Sequence, residues 1–244
     1  DQRGHGRSPA NPACTTGALA DDLEAVLART LARGEKALVV GHSMGGMTVM
    51  AAAERPRFRE HAAAVLLCST GSSRLVAQSR VVPLRAGRVR TWITGRVLGS
   101  RAPLGPVTPV ARSVLKYATM GAGSAPHMVE ACARIVHACP RAARHAWSAV
   151  LAALDLDHGV RRLSQPTAVL HGASDRLTPA VHARALVAAL PHCVGLTELP
   201  GVGHMTPIEA PELVTARIRD LVGTYVTGAV PEHGSTPAQI KEGA

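Results

Sequence analysis

The chain has 244 residues, 27 of them basic and 17 acidic, for a formal net charge of +10, with 46% hydrophobic and 18% charged side chains. This length suits one large domain or two small ones with a sizeable core. The composition excludes an intrinsically disordered chain, and no apolar run approaches the roughly 18 residues that a membrane-spanning helix needs.

The basic residues are 24 Arg and only 3 Lys in an Ala-rich chain with five aromatics. That bias follows genomic base composition better than selection for a ligand, so charge alone names no partner. Cys14, Cys68, Cys132, Cys139 and Cys193 show no CxxC spacing, which argues against a zinc site or a disulfide framework and fits a reducing cytoplasm. Residue 1 is Asp and the opening DQRGHGRS is polar, so no signal peptide is read and the chain is expected to be a fragment.

Taken in order, the apolar periodicity alternates between helices and strands and predicts an α/β fold with a mostly parallel sheet. Leu19, Leu23, Val26, Leu27 and Leu31 mark a helix over about Thr16–Arg33, with Thr15 or Thr16 as cap and Gly34 as stop. Lys36–Gly41 reads as a buried strand, and Met44–Arg55 as a helix halted by Pro56. A second strand is expected over Ala63–Cys68. Residues 74–159 carry helical spacing broken by Gly and Pro, and predict an inserted helical cap. Strands resume at Thr167–Leu170 and Val194–Leu199, separated by a helix over about Pro179–Leu190, and a last helix runs over about Pro207–Val226. The expected division is a core domain in two parts, 1–73 and 160–227, the cap 74–159, and a mobile tail 228–244.

Gly41-His42-Ser43-Met44-Gly45 matches G-x-S-x-G between a buried strand and a helix, where the motif has mechanical meaning as a nucleophile elbow. So sharp a turn needs small residues beside the serine. Gly41 and Gly45 meet that need, and Gly46 adds room. The following helix directs its first amides at the region beside Ser43, so the Met44 N–H can donate to an oxyanion. His42, Met44, Met47 and Met50 otherwise read as packing residues.

A serine hydroxyl is a weak nucleophile at neutral pH and needs a base, itself oriented by a carboxylate. On this kind of fold they follow in the order serine, acid, histidine, each just past a strand end. Asp175, in HGASDR after the third strand, and His204, in PGVGH after the fourth, fill those positions. The competing acid position, after Cys68, holds only Ser69-Thr70-Gly71-Ser72-Ser73. Asp155, Asp157 and His158 read as solvated or capping groups.

GHSMGG, HGASDRLTP and GVGHMTPIEAPE, with the opening D-x-R-G-x-G-x-S segment at Asp1–Ser8, resemble the α/β-hydrolase superfamily in its capped, esterase-like branch, over nearly the whole chain. The resemblance implies three or four further strands before Asp1, and an HG-type loop that completes the oxyanion hole. His5-Gly6 belongs to a later loop and does not take that role.

The implied activity is hydrolysis of a small-molecule acyl ester through an acyl-enzyme, with Ser43, His204 and Asp175 as the reacting set and without metal or organic cofactor. Thioester, lactone and amide cleavage and peracid formation are alternatives on the same residues. A non-catalytic chain that keeps the fold is another. Trp92, Tyr117 and Trp147 in the cap are expected to form its own core. Arg80, Arg85, Arg88, Arg90, Arg96 and Arg101 crowd one part of it and read as a solvated basic face. No nucleic-acid-reading signature is present, and neither nucleic acid nor integral membrane contact is expected. The oligomeric state is not readable.

Overall fold

The computed structural model describes residues 1–9 and 13–228; the expected tail lies outside them from residue 229 onward. Helix α1 (Thr16–Thr30) leads into strand β1 (Ala37–His42), then α2 (Met44–Ala51), α3 (Pro56–His61) and β2 (Ala62–Cys68). Six helices follow: α4 (Leu75–Gln78), α5 (Arg88–Leu98), α6 (Pro109–Thr119), α7 (Pro126–Ala138), α8 (Arg141–Ala152) and α9 (Asp157–Arg162). The chain then returns through β3 (Thr167–Gly172), α10 (Val181–Ala189), β4 (Cys193–Leu199), α11 (Thr206–Glu209) and α12 (Pro211–Tyr225).

The four strands pair in parallel in the order β1-β2-β3-β4. Parallel strands are buried on both faces, and β2 shows how its sequence permits that. Val65 and Leu67 point into one cluster with Phe58, Met50 and Leu186, while Leu66 and Cys68 point into a second with Leu170, Val214 and Leu221. An uninterrupted apolar run therefore serves two cores at once. Because spatial order follows chain order, the loops leaving β1, β2, β3 and β4 emerge side by side at one end of the sheet. That is the end where open α/β sheets place their chemistry.

Local signals account for most element ends. Thr15 caps α1 by accepting from the Ala18 amide at 3.0 Å. Pro56 does not simply halt a helix: α2 ends at Ala51, and Pro56 opens α3 at a first-turn position that requires no N–H. The expected last helix is two helices, because Ala210 precedes Pro211 and takes φ −141°, outside the helical region.

The helical segment between β2 and β3 has two small cores. Trp147 is buried against Leu19 of α1, and Met120, Val129 and Cys132 pack with Met205 and Ile208. Trp92 and Tyr117 do not join either one; both are exposed, which corrects the expectation of an aromatic core there. Helical spacing shows which residues share a face and leaves open what covers that face.

Candidate active site

Ser43 sits between β1 and α2 with φ 51° and ψ −118°, a backbone conformation that side-chain-bearing residues rarely hold. The turn is possible because Gly41 and Gly46, two residues before and three after the serine, lack side chains. A Cβ at Gly41 would come within 2.6 Å of the Gly46 backbone, and one at Gly46 within 2.6 Å of the Thr70 side chain. Gly45, expected to be the second obligatory small position, faces open space. The steric demand falls one residue later, on Gly46, because that glycine and not Gly45 packs against the β2 loop. Thr70 closes the turn from the other side by donating its hydroxyl to the Ser43 carbonyl at 2.7 Å.

The structure brings Ser43, His204 and Asp175 together. Ser43 Oγ lies 2.9 Å from His204 Nε2, and His204 Nδ1 lies 2.8 Å from Asp175 Oδ2. With the Nδ1 proton donated to the carboxylate, Nε2 presents its lone pair to the serine hydroxyl. Met44 is the first residue of α2. Its N–H is therefore one of those that a helix start leaves without an intrahelical acceptor.

Asp175 is buried with four donors on its carboxylate. The Leu177 and Thr178 amides reach Oδ1 at 2.8 and 2.9 Å, and the Thr178 hydroxyl and His204 reach Oδ2, each at 2.8 Å. Burial pushes its pKa up, but His204, as a nearby cation and as a donor, with help from His171 and Thr178, outweighs that and holds it below the usual carboxylate range. Asp175 therefore stays ionised in a site almost closed to water.

Two residues that sequence reasoning passed over complete this arrangement. Thr178 bridges the acid and the base, its hydroxyl lying 3.1 Å from His204 Nδ1 as well as on Asp175. Glu209 folds back under the histidine loop. Its carboxylate accepts from the Gly203 amide at 3.0 Å and the Met205 amide at 3.0 Å, and from the Gly121 amide and Ser124 hydroxyl, each at 2.7 Å. One side chain thus fixes the residues on both sides of His204 to the turn after α6. The His204 amide reaches the Thr119 carbonyl, and its own carbonyl accepts from His42 Nε2 at 2.8 Å. His42 is consequently more than a packing residue. The only sequence signal for Glu209 was an acidic residue five positions past the histidine, which periodicity does not distinguish from a helix-capping acid.

The groups set aside as solvated or capping behave largely so. Asp155 accepts from the Asp157 amide, Asp157 accepts from the Ser72 and Ser73 hydroxyls, and His158 meets Glu54 at 3.2 Å. The opening loop is structural. Arg3 forms a two-pronged pair with Asp22 of α1 at 2.7 and 2.6 Å, Gln2 donates to Thr48 of α2, and Trp147 donates to the Arg3 carbonyl. Among the described residues no cluster of His, Cys, Asp and Glu is arranged to hold a metal ion, and no helix is long and apolar enough to cross a membrane.

A parallel sheet with its strained serine turn at one end defines an α/β protein of hydrolase architecture. The sequence profile of the alpha/beta hydrolase family matches residues 1–217, and the chain belongs to that family. An uncharacterized hydrolase of Bacillus subtilis (strain 168), YugF, is 28% identical over 194 residues, a match covering 77% of this chain and 66% of that protein. Among solved structures, a thermophilic esterase from Thermogutta terrifontis is 25% identical with a TM-score of 0.68, covering 92% of this chain and 78% of the other. The esterase EaEST from Exiguobacterium antarcticum has the same fold with a TM-score of 0.73 at 16% identity, covering 91% of this chain and 79% of the other.

Proposed function

We propose that this protein is a serine hydrolase that cleaves carboxylic esters of small molecules through an acyl-enzyme intermediate. The observation that carries the reading is the continuous contact from Ser43 Oγ through His204 to the buried Asp175, at 2.9 and 2.8 Å, on a serine held at positive φ. Membership of the alpha/beta hydrolase family and the likeness to an esterase support the reaction class.

In this mechanism His204 Nε2 takes the Ser43 proton as Oγ attacks the acyl carbon, and Asp175 stabilises the imidazolium that forms. The Met44 amide donates to the oxyanion of the tetrahedral intermediate. His204 then returns the proton to the leaving alcohol, and a water, deprotonated by the same imidazole, releases the acid. No metal or organic cofactor enters these steps. Residues 74–159 act as a cap over the serine, with 1–73 and 160–227 as the two parts of the catalytic core, and the protein works in the cytoplasm.

Labelling by a fluorophosphonate probe, followed by intact mass, tests the assignment. The parent should acquire one adduct, and Ser43→Ala and His204→Ala should acquire none. A folded parent that stays unlabelled would mean a non-catalytic chain. An ester, thioester and amide panel with the acyl group held constant then fixes the bond cleaved.

A further inference from the structure

The positive charge of this protein is not spread over its surface. No Asp or Glu occurs between Glu60 and Glu130, a stretch that holds nine basic residues; the other eighteen basic side chains nearly balance all seventeen acidic ones. Almost the whole net charge of +10 therefore belongs to the segment containing β2 and α4–α6. Among the described residues, Arg112 is the one member of the nine that pairs with a carboxylate, Glu130 at 2.9 Å. Arg85, Arg88, Arg96 and Arg101 are exposed.

The same segment exposes apolar side chains in rows. On α5 the spacing i, i+4, i+8 puts Arg88, Trp92 and Arg96 on one face, with Val89 beside them. Trp92 is 65% exposed and Val89 67%, and the Arg96 guanidinium lies 5.8 Å from the Trp92 ring centre. Helix α6 buries none of its residues and turns Val110, Val114 and Tyr117, spaced i, i+4, i+7, to solvent. A merely solvated basic face needs no such rows. A second copy of this chain is a poor occupant, because two faces this rich in cations, with Glu130 as the one carboxylate paired to them among the described residues, repel. Nucleic acid would meet the charge and leave the valines unused.

We propose that α5, by its exposed Arg88, Trp92 and Arg96 row, docks on the surface of an anionic phospholipid bilayer, with the exposed valines of α6 as a second apolar contact. Helices that lie in a membrane interface carry Trp and aliphatic side chains toward the acyl boundary and arginines toward the headgroups. Guanidinium groups meet lipid phosphates with two parallel hydrogen bonds. The surface excludes Ser43, His204 and Asp175, so it stands or falls apart from the catalytic assignment.

The chain contains its own reporter. Of its two tryptophans Trp147 is buried and Trp92 exposed, so an emission change on docking comes from the proposed face. The experiment is co-sedimentation, with emission spectra, on vesicles of phosphatidylcholine alone and of an equal mixture with phosphatidylglycerol. The full chain should bind the mixed vesicles at least tenfold more tightly, with a blue shift, and lose that binding at about 0.5 M salt.

Arg88→Ser with Arg96→Ser should weaken binding on the order of 20-fold, and Val110→Ser with Val114→Ser about tenfold. Because all four side chains lie on the surface of the fold, both variants should melt like the parent. Ser43→Ala should bind like the parent. Equal binding to both vesicle types would overturn the proposal. So would binding without a blue shift that the valine changes leave intact and that duplex DNA competes away; that result would assign the face to polyanions in general.

Discussion

Around Asp175 four donors converge on one buried carboxylate, and around Glu209 another four, whereas α6, eleven residues long, buries no side chain at all. The two regions are neighbours, since the turn after α6 supplies Gly121 and Ser124 to Glu209, and Thr119, the last residue of α6, accepts from the His204 amide. One end of the helix helps hold the histidine loop, while its outer face contributes little to the fold. The contrast separates residues that fix the geometry of the site from residues whose side chains face away from the fold. In the first group each polar atom is fixed by partners, and removing one partner leaves others buried and unpaired. In the second, substitutions should be nearly silent for stability.

On the ordered side of this contrast the losses are steep. Asp175→Asn should lower ester turnover by about 10⁴-fold with KM little changed, because the amide favours the wrong tautomer of His204. Steady-state kinetics on a soluble ester check it, and a loss below tenfold would remove Asp175 from the mechanism. Glu209→Ala should cost about 3 kcal/mol in a denaturant titration, by stranding the Gly203, Met205 and Gly121 amides. Its activity should fall through kcat, since the residue acts on the position of His204 and touches no substrate.

A third prediction uses pH. Burial, and then the nearness of His204, push the His42 pKa down to about 4, so the folded protein holds His42 neutral where the unfolded chain protonates it below about pH 6.5. More protons are bound by the unfolded state in that window, so stability falls as pH drops from about 6.5 to 4. The loss from this residue is on the order of 3 kcal/mol at the acid end. His182, whose pKa is likewise lowered to about 4 by burial and by His171, adds to it. His42→Gln keeps an N–H for the His204 carbonyl and should flatten part of this acid limb in melts run across pH; an unchanged limb would place the sensitivity elsewhere. The smallest effect belongs to the open side. Val110→Ser with Val114→Ser should change stability by less than about 1 kcal/mol and leave hydrolysis of a soluble ester at the parental rate.

Legibility in the sequence followed the range of the forces involved. The serine turn was readable because its demand is local: a positive φ at Ser43 requires small neighbours within three residues, and the chain supplies them. Even so, only the packing of Gly46 on Thr70 shows that Gly46, not Gly45, carries the second restriction. Asp175 and His204 were placed by their position past the ends of β3 and β4, a rule of topology that needs no knowledge of contacts. Thr178 and Glu209 were not readable, since their value comes from a hydroxyl 3.1 Å from an imidazole 26 residues away and from one carboxylate that ties the nearby Gly203 and Met205 amides to the Gly121 amide 88 residues away. Trp92 and Tyr117 failed for a related reason, as spacing predicts a helix face without saying whether anything lies against it.

Acylation of Ser43 is the step on which the proposed mechanism stands, and a pre-steady-state experiment with an activated phenyl ester reads it out. One equivalent of phenolate should be released in a burst before steady turnover, and acid quenching should leave one acyl group per chain, mapped to the peptide containing Ser43. Turnover with no burst in any regime and no acyl group on Ser43, by a parent that Ser43→Ala matches in rate, would remove Ser43 from the mechanism.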